Sequence, residues 1–374
     1  MTVTPAGGPA SNRFTETLKR LHRRYVGLVP PMSFVIGFTY DTFTLKRIDL
    51  LFDNLLLLSY LFLSSIALIV LGRIDLRHTE RKFFIERQNW CVVLLHFCMG
   101  SLFSAYTILY FKSAAVGQSY IFVALLVLIL LVNEFVRHGL SQLKMLLIMH
   151  TFCSFAFFTF FLPVMTSRMD LETFVNGGLL SMALTAFIWL GIYGLNIKGL
   201  WREKYGVFLP PGLLFVLMCL VYTMNWIPPV PLSVQEIGIF RGVRKTEEGR
   251  YEVRYRKPTD WEVGRRDDRI FEYTPGDTVF CYTSVFAPTE MKQRIIHHWQ
   301  WFNKEGEWTT TDQIGYDIVG GRDGGWRGFT RKKNVGPGRW RIDVMTEDGK
   351  VIGRVPMNII LVKRRPTEMA RELK

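Results

Sequence analysis

The chain has 374 residues, of which 49% are hydrophobic, and its formal net charge is +14. Its mean hydropathy of +0.16 is higher than expected for two or three soluble domains. Residues 1–232 hold 19 Lys and Arg against 11 Asp and Glu, and residues 233–374 hold 27 against 21. The positive charge of the first part lies between apolar runs. The cytoplasmic face of a membrane protein therefore explains it better than nucleic-acid binding does.

Apolar segments fill the chain from residue 26 to residue 227. Residues 1–25 form a basic tail without a small-residue cleavage site, which is typical of an uncleaved signal anchor. A helix needs about 20 apolar residues to cross a hydrocarbon core of about 30 Å. Seven segments come near that length, so we predict a polytopic α-helical membrane domain of about seven transmembrane helices, the first being the shortest and most polar. The segments run approximately over residues 28–45, 50–72, 90–111, 115–135, 144–166, 176–196 and 208–226.

Basic residues in the connecting segments indicate the orientation of these helices, because cytoplasmic loops carry an excess of Lys and Arg. With seven spans and a cytoplasmic N-terminus, fifteen basic residues lie inside and four lie outside. An odd number of spans then places the C-terminal domain outside the cytoplasm. The inside residues are Arg13, Lys19, Arg20, Arg23, Arg24, Arg73, Arg77, Arg81, Lys82, Arg87, Arg137, Lys144, Lys198, Arg202 and Lys204, and the outside ones are Lys46, Arg47, Lys112 and Arg168.

A proline-rich segment separates the apolar part from a second domain. Residues 228–233 cannot continue a helix and are expected to form a stiff, extended linker. In residues 234–363, about eight short runs of β-branched and aromatic residues alternate with Gly, Pro, Asn and Asp, which predicts an all-β, sandwich-like domain. The clearest hairpin joins a strand over 340–346 to its return strand through Glu347–Lys350. Residues 364–374 are expected to be a solvated tail.

Two stretches of the chain carry a family resemblance. Residues 297–302 (HHWQWF) and 314–360, with a Trp/Arg strand, a Gly-x-Trp strand and an Asp-Gly turn, resemble the bacterial domain of unknown function 2914. Residues 37–54 (GFTYDTFTLKRIDLLFDN) resemble the multi-pass membrane region that often precedes that domain in Gram-negative bacteria. The resemblance implies a multi-pass bacterial membrane protein that ends in this domain. It implies no activity, so no functional residues carry over.

Ionisable residues within the apolar segments are the first functional candidates, because burying them in hydrocarbon costs several kcal/mol unless they are paired or hydrated. They include Asp41, Asp53, His96 and His150. Asp41 and Asp53 lie near segment ends, where they can reach the interface. His96 and His150 are expected at a similar depth, but no third ligand accompanies them, so we predict no metal site. Hydrogen bonding to a neighbouring helix is the simpler role for both.

The second candidate set lies in the β-domain. Alternation along the strand at 297–302 places His297, Trp299 and Trp301 on one face. His298, Gln300 and Phe302 lie on the other face. Tryptophans there could bind a partner or a glycan, or could simply fill the core. Adjacent histidines on a strand point apart and cannot chelate one ion, so no metal or cofactor is predicted. The partner-binding candidates are Trp299, Trp301, Trp326, Arg327 and Arg331, with a solvated strand edge as the alternative for the arginines.

No catalytic motif occurs in the chain, and we therefore expect a protein that is not an enzyme. In the favoured interpretation the helical domain lies in the lipid bilayer and anchors or scaffolds membrane partners. The periplasmic β-domain then binds a partner protein or a glycan. The alternative is a membrane-embedded transporter or enzyme that uses the intramembrane polar residues, with the β-domain as an accessory.

Overall fold

The computed structural model of the protein describes residues 50–75, 88–114, 117–135, 143–194, 197–258, 266–322, 324–366 and 368–374. Within these ranges a helical N-terminal region of six helices precedes a β-rich C-terminal region. The helices correspond to six of the seven predicted segments. The first predicted segment, residues 28–45 with Asp41, lies outside the described residues. The helices are α1 (Leu51–Asp75), α2 (Gln88–Ser113), α3 (Gly117–Phe135), α4 (Leu143–Thr166), α5 (Leu171–Tyr193) and α6 (Ile197–Thr223).

These helices are apolar around most of their circumference. Four stretches have the length and composition to cross a membrane: Phe52–Asp75, Trp90–Ser113, Leu143–Thr166 and Leu171–Tyr193. Large apolar side chains also cover the outside of the bundle, where Phe52 is 75% exposed. Monomeric soluble proteins rarely expose contiguous apolar surface of this kind. Two further apolar stretches are shorter, Tyr120–Ile129 and Phe208–Thr223.

Helix α4 lies at the centre of the helical region, in contact with α1, α2, α5 and α6. Its Phe152 ring stacks on Phe103 of α2, with centroids 6.1 Å apart. Hydroxyl groups join it to α5, where small side chains let the helix axes approach. Such hydrogen bonds hold helices together in apolar surroundings. The bonded pairs are Thr151–Thr185 at 2.9 Å and Ser154–Ser181 at 2.6 Å.

Eleven strands form three sheets within the described part of the C-terminal region. Their orders are β1-β5-β8, β4-β10-β9-β6-β7 and β11-β3-β2, and the β4-β10 pair is parallel. The strands are β1 (Ser233–Phe240), β2 (Gly242–Lys245), β3 (Tyr251–Arg256), β4 (Ile270–Tyr273), β5 (Thr278–Phe286), β6 (Lys292–Phe302), β7 (Trp308–Val319), β8 (Trp326–Lys333), β9 (Gly338–Thr346), β10 (Val351–Leu361) and β11 (Met369–Leu373).

The core of this region lies between the three-stranded sheet β1-β5-β8 and the five-stranded sheet. The strands of these two sheets contribute alternate residues to the core. Val279 and Cys281 of β5 are examples from one sheet, and Ile342 and Val344 of β9 are examples from the other. The intervening residues of β5 point the other way, and Tyr282 there packs against the third sheet. The period of two in the sequence thus produces a layered β-structure with two inner faces.

The predicted hairpin near residue 350 is confirmed. β9 pairs antiparallel with β10, and Thr346 accepts a backbone hydrogen bond from Gly349 across the turn, at 3.0 Å. The tail prediction was wrong. Residues 369–373 form β11, which pairs antiparallel with β3. The charged residues that alternate along this segment led to the prediction of a solvated tail. They fit an edge strand equally well, because one side of such a strand faces water.

The linker prediction was also wrong. Residues 228–232 are buried and turn back on themselves, with the Val230 amide donating to the Pro228 carbonyl at 2.8 Å. Val230 packs in the helical core, together with Phe286 from β5, whereas Leu232 packs in the β-core. Apolar contacts at both ends outweigh the extended tendency of the prolines. The helical and β regions are therefore packed together through this segment.

Candidate partner-binding face of the C-terminal domain

Strand β6 supplies one residue set to the core and another to the outside. His297 and Trp299 have no exposed surface and lie between the two inner faces. Gln300 and Phe302 point away from that core; Gln300 pairs with residues of β7 and β9, and Phe302 pairs with a residue of β7. The predicted alternation of this strand is therefore confirmed, and the candidate site lies on its outer side.

The inward side holds a buried polar cluster around His297. Its Nδ1 shares a hydrogen bond with Thr330 at 2.8 Å, and its Nε2 shares one with Thr283 at 3.1 Å. The hydroxyls of Thr283 and Tyr316 are 2.5 Å apart. Burial lowers the pKa of His297 from its usual 6.5 to about 3, so the ring is neutral at pH 7. The cluster joins two sheets, and His297 at its centre has no exposed surface.

Arginine and aromatic side chains cover the outward side. The Arg341 guanidinium lies 4.3 Å from the centroid of the Trp308 ring, and that of Arg339 lies 4.7 Å from the Phe302 ring. The two rings contact edge to face, with centroids 5.1 Å apart. We call these four residues, Phe302, Trp308, Arg339 and Arg341, the arginine–aromatic face.

The residues of the face come from three neighbouring strands, and the register of these strands brings them together. Phe302 of β6 is opposite Trp308 of β7, and Gln300 of β6 is opposite Arg341 of β9. Arg341 Nε donates to the Gln300 side-chain oxygen at 2.5 Å, which fixes the guanidinium over the indole. Burial, and then the nearby positive charge of Arg354, lowers the pKa of Arg341 from its ordinary value, yet a guanidinium stays charged at neutral pH.

The face lies at the end of the domain remote from the helices. Lys292 at the start of β6 is next to the helical region, since it lines a cavity with Arg168 from the loop before α5. Phe302 is ten residues further along the strand, which corresponds to about 33 Å at about 3.3 Å per residue. A partner can therefore reach the face without obstruction from the helical region.

The stacking geometry decides which chemistry the face suits. A sugar ring binds by lying flat on an exposed aromatic ring, and here the guanidinium groups occupy that position. Arginines held over aromatic rings are typical of protein interfaces, where they bind carboxylates bidentately. The arrangement favours an acidic protein segment over a glycan.

The predicted binding residues do not come together in the structure. Trp299 is fully buried and leaves the set of candidates, because a side chain without exposed surface cannot contact a partner. Trp301 is half-buried against the core, and Trp326 stacks on Tyr316 with centroids 5.7 Å apart. The other two, Arg327 and Arg331, alternate with the inward Thr330 and so point to the far side of the β1-β5-β8 sheet.

The predicted intramembrane residues lie on separate helices. Asp53 is in the first turn of α1, and His96 is buried on α2. The His150 Nε2 atom and the Ser65 hydroxyl share a hydrogen bond at 3.1 Å. Among the described residues, no group of three or more His, Cys, Asp or Glu could hold a metal ion. The hydrogen bond from His150 to a neighbouring helix matches the simpler role expected for it.

The sequence did not predict that the four residues of the arginine–aromatic face form one site. Both arginines alternate with the buried Trp340 and Ile342, which is a signal that they share the outer side of β9. The pairing of β9 with its hairpin partner β10 has a local signal, whereas its pairing with β6 on the other side has none. The face therefore required the pairing of strands that are remote in sequence.

Comparisons with known proteins bear on the C-terminal domain alone. Residues 292–359, from β6 to β10, match the family model described as a protein of unknown function, DUF2914. The match confirms the resemblance of this stretch to that domain. None of the curated proteins compared with the chain matches it significantly.

A solved structure, the Pseudomonas fluorescens alkylpurine DNA glycosylase AlkC bound to DNA containing an abasic site analog, aligns with 84% of this chain and 99% of its own. The sequence identity is 9% and the TM-score is 0.21. Such a low TM-score supports no conclusion about fold or function.

Proposed function

We propose that this is an integral inner-membrane protein that is not an enzyme and whose periplasmic β-domain binds an acidic protein partner through the arginine–aromatic face. The helical domain anchors that interaction in the bilayer. The observation that carries the proposal is the stacking of Arg339 and Arg341 on Phe302 and Trp308 at the remote end of the domain. Binding there would further desolvate the guanidinium group of Arg341, which is already partly buried.

The membrane part of the proposal is supported by apolar helices of sufficient length and by their exposed apolar side chains. The periplasmic part is supported by the distribution of Lys and Arg. The loop before α5 carries one of the four basic residues predicted outside, and Met169 of that loop packs in the β-core. This packing supports placing the β-domain on the side of the bundle that the Lys and Arg distribution predicts to be outside.

Photo-crosslinking in cells tests the face directly. Thr309 and Thr310 are adjacent and exposed on β7, but Thr310 points to the side of Gln300 and Thr309 to the side of Trp301. A photo-reactive amino acid at 310 in the full chain should give a discrete, protease-sensitive adduct with another protein. The same residue at 309 should give at least fivefold less. The double variant Arg339→Glu with Arg341→Glu should abolish the adduct at 310.

Equal adducts at both positions, or an adduct that survives the charge reversal, would contradict the proposed face. An adduct that resists protease but is cleaved by a glycan hydrolase would replace the protein partner with a glycan. Arg331→Glu is the matched control, because Arg331 is an exposed arginine of another sheet. It should leave the adduct at 310 unchanged.

One observation favours transport or catalysis within the helices as a second candidate function. The buried His150 ring uses Nε2 to contact Ser65, whereas its Nδ1 makes no hydrogen bond of normal geometry to the described residues. A proton or polar solute could use that atom. Replacing His96 and His150 by Phe should abolish the cellular function under this second candidate. Under the favoured proposal, the adduct at 310 should persist.

A further inference from the structure

A cavity of about 670 Å³ lies where the helical region meets the β-domain. Its lining comes from the loop between α4 and α5, the end of α6, the start of β6 and the β9–β10 turn. This volume is in the range of small-molecule sites. Because both regions contribute to the cavity, it exists only in the packed arrangement of the whole chain.

Half of the charged groups that line this cavity already have partners. Lys350 is buried, pairs with Asp348 at 3.1 Å and donates a hydrogen bond to the Tyr222 hydroxyl. Asp170 caps α5 by accepting a hydrogen bond from the Thr173 amide at 2.7 Å. This hydrogen bonding, more than the nearby Arg168, lowers the pKa of Asp170, so its carboxylate is ionised at neutral pH.

Three charged groups that line the cavity form no ion pair with the described residues: Arg168, Lys292 and Glu347. Two cations and one carboxylate match a ligand that carries a phosphate and an ammonium group. Arginine and lysine bind phosphate oxygens, and a carboxylate binds an ammonium group through charge-assisted hydrogen bonds. Gln293 and Asn225 add neutral polar groups to the lining.

An apolar track leads to this polar cavity along the outside of the bundle. Leu213, Leu217, Leu220 and Met224 are spaced at four, three and four residues, which places them on one side of α6 and the turn after it. Each is at least half exposed. At the mouth, Leu171 is 49% exposed and also lines the cavity. Polar cavity and apolar track together match an amphipathic molecule.

We infer that the cavity binds the headgroup of a zwitterionic phospholipid, phosphatidylethanolamine, with its phosphate at Arg168 and Lys292 and its ammonium group at Glu347. The acyl chains lie along the exposed side of α6. The bound lipid joins the β-domain to the outer leaflet and sets the height of the arginine–aromatic face above it. This inference rests on the membrane location in the proposed function.

Native mass spectrometry of the full chain in mild detergent tests the inference. Offered equal amounts of phosphatidylethanolamine, phosphatidylglycerol and phosphatidylcholine, the protein should retain one phosphatidylethanolamine in at least fivefold preference. Arg168→Ala with Lys292→Ala should reduce retention at least fivefold, and Glu347→Gln should remove the preference over phosphatidylglycerol. Lys304→Ala with Arg331→Ala, two exposed cations away from the cavity, is the matched control and should change neither.

Equal retention of all three lipids, or undiminished retention by the double variant, would overturn the inference. Equally tight binding of water-soluble glycerophosphoethanolamine would also overturn it, because the apolar track would then contribute nothing. Carbonate extraction of cell membranes separates the two proposals. Release of the chain would contradict the membrane location itself, whereas retention in the membrane without a bound lipid would contradict only the headgroup site.

Discussion

His297 illustrates how a single residue links sequence, burial and pH. It lies in the dry centre of the β-domain, where an isolated charge would cost far more free energy than a neutral ring. Both ring nitrogens have hydroxyl partners, Thr330 and Thr283, that can donate or accept. A hydrogen-bonded neutral imidazole is therefore compatible with the core, and protonation is not.

This burial predicts a pH-dependent stability. The folded-state pKa of His297 is about 3, below its usual 6.5, so between these values the unfolded chain binds a proton that the folded chain does not. Stability should fall as the pH drops from 6.5 toward 3, by at most about tenfold in the folding constant per pH unit. Thermal unfolding of the full chain, followed by near-ultraviolet circular dichroism, measures this dependence.

The variant His297→Gln provides the comparison, because Gln keeps hydrogen-bonding atoms but does not titrate. It should be less stable than the wild type at pH 7, and the difference should narrow toward pH 4. Both proteins contain the same carboxylates, so the effect of carboxylate titration cancels when their stabilities are subtracted. Parallel curves for the two proteins would show that His297 is not the residue responsible.

Among the elements, the C-terminal strand β11 is the one for which the local sequence predicts the wrong structure. MAREL alternates exposed and half-buried residues and resembles a solvated segment, yet β11 pairs with five residues of β3. Lys374 beyond it exchanges two backbone hydrogen bonds with Tyr251, at 3.1 and 2.8 Å. These bonds cover an edge of β3 that would otherwise be open.

Deleting residues 369–374 should expose that edge and destabilise the third sheet by about 1–3 kcal/mol, as loss of a hydrogen-bond ladder does. Hydrogen exchange of the β3 amides should accelerate at least tenfold. Arg371→Ala is the control, since its contact with Glu252 is long, at 3.9 Å, and largely exposed. It should change stability by less than about 0.5 kcal/mol. Unchanged exchange in the deletion variant would show that β11 contributes nothing.

At the scale of the whole molecule, the packed junction couples the position of the β-domain to that of the helices. Met169 packs in the β-core, and Phe286 packs in the helical core. Contacts from both directions make the junction a shared core in place of a flexible tether. The β-domain thus lies at the end of the helical bundle that carries the loop before α5.

A topology reporter tests on which side of the membrane that end of the bundle lies. Alkaline phosphatase, which is active only in the periplasm, should be active when fused after Lys374, and green fluorescent protein at the same site should be dark. The physical reason is the excess of basic residues in the predicted inner segments. The opposite pattern would reverse the orientation and remove the periplasmic location of the arginine–aromatic face.

Much of the architecture is predictable from local patterns. Six helices, the division near residue 230, the β9–β10 hairpin and the two sides of β6 follow from apolar length, turn residues and a period of two. The candidate site is less predictable. Trp299 and Trp301 are prominent aromatic residues, but their side of β6 faces the core, whereas Phe302 and Trp308 face the outside.

The sequence by itself determined that a long apolar helical part precedes a β-rich part, and which residues of each strand share a side, because both depend on neighbours within a few positions. The tertiary structure decided which strands lie beside each other. It thereby stacked Arg341 on Trp308, turned residues 228–232 into a packed junction and formed the cavity at Arg168 and Glu347. These contacts join residues remote in the chain, and only the packing of the whole molecule brings them together.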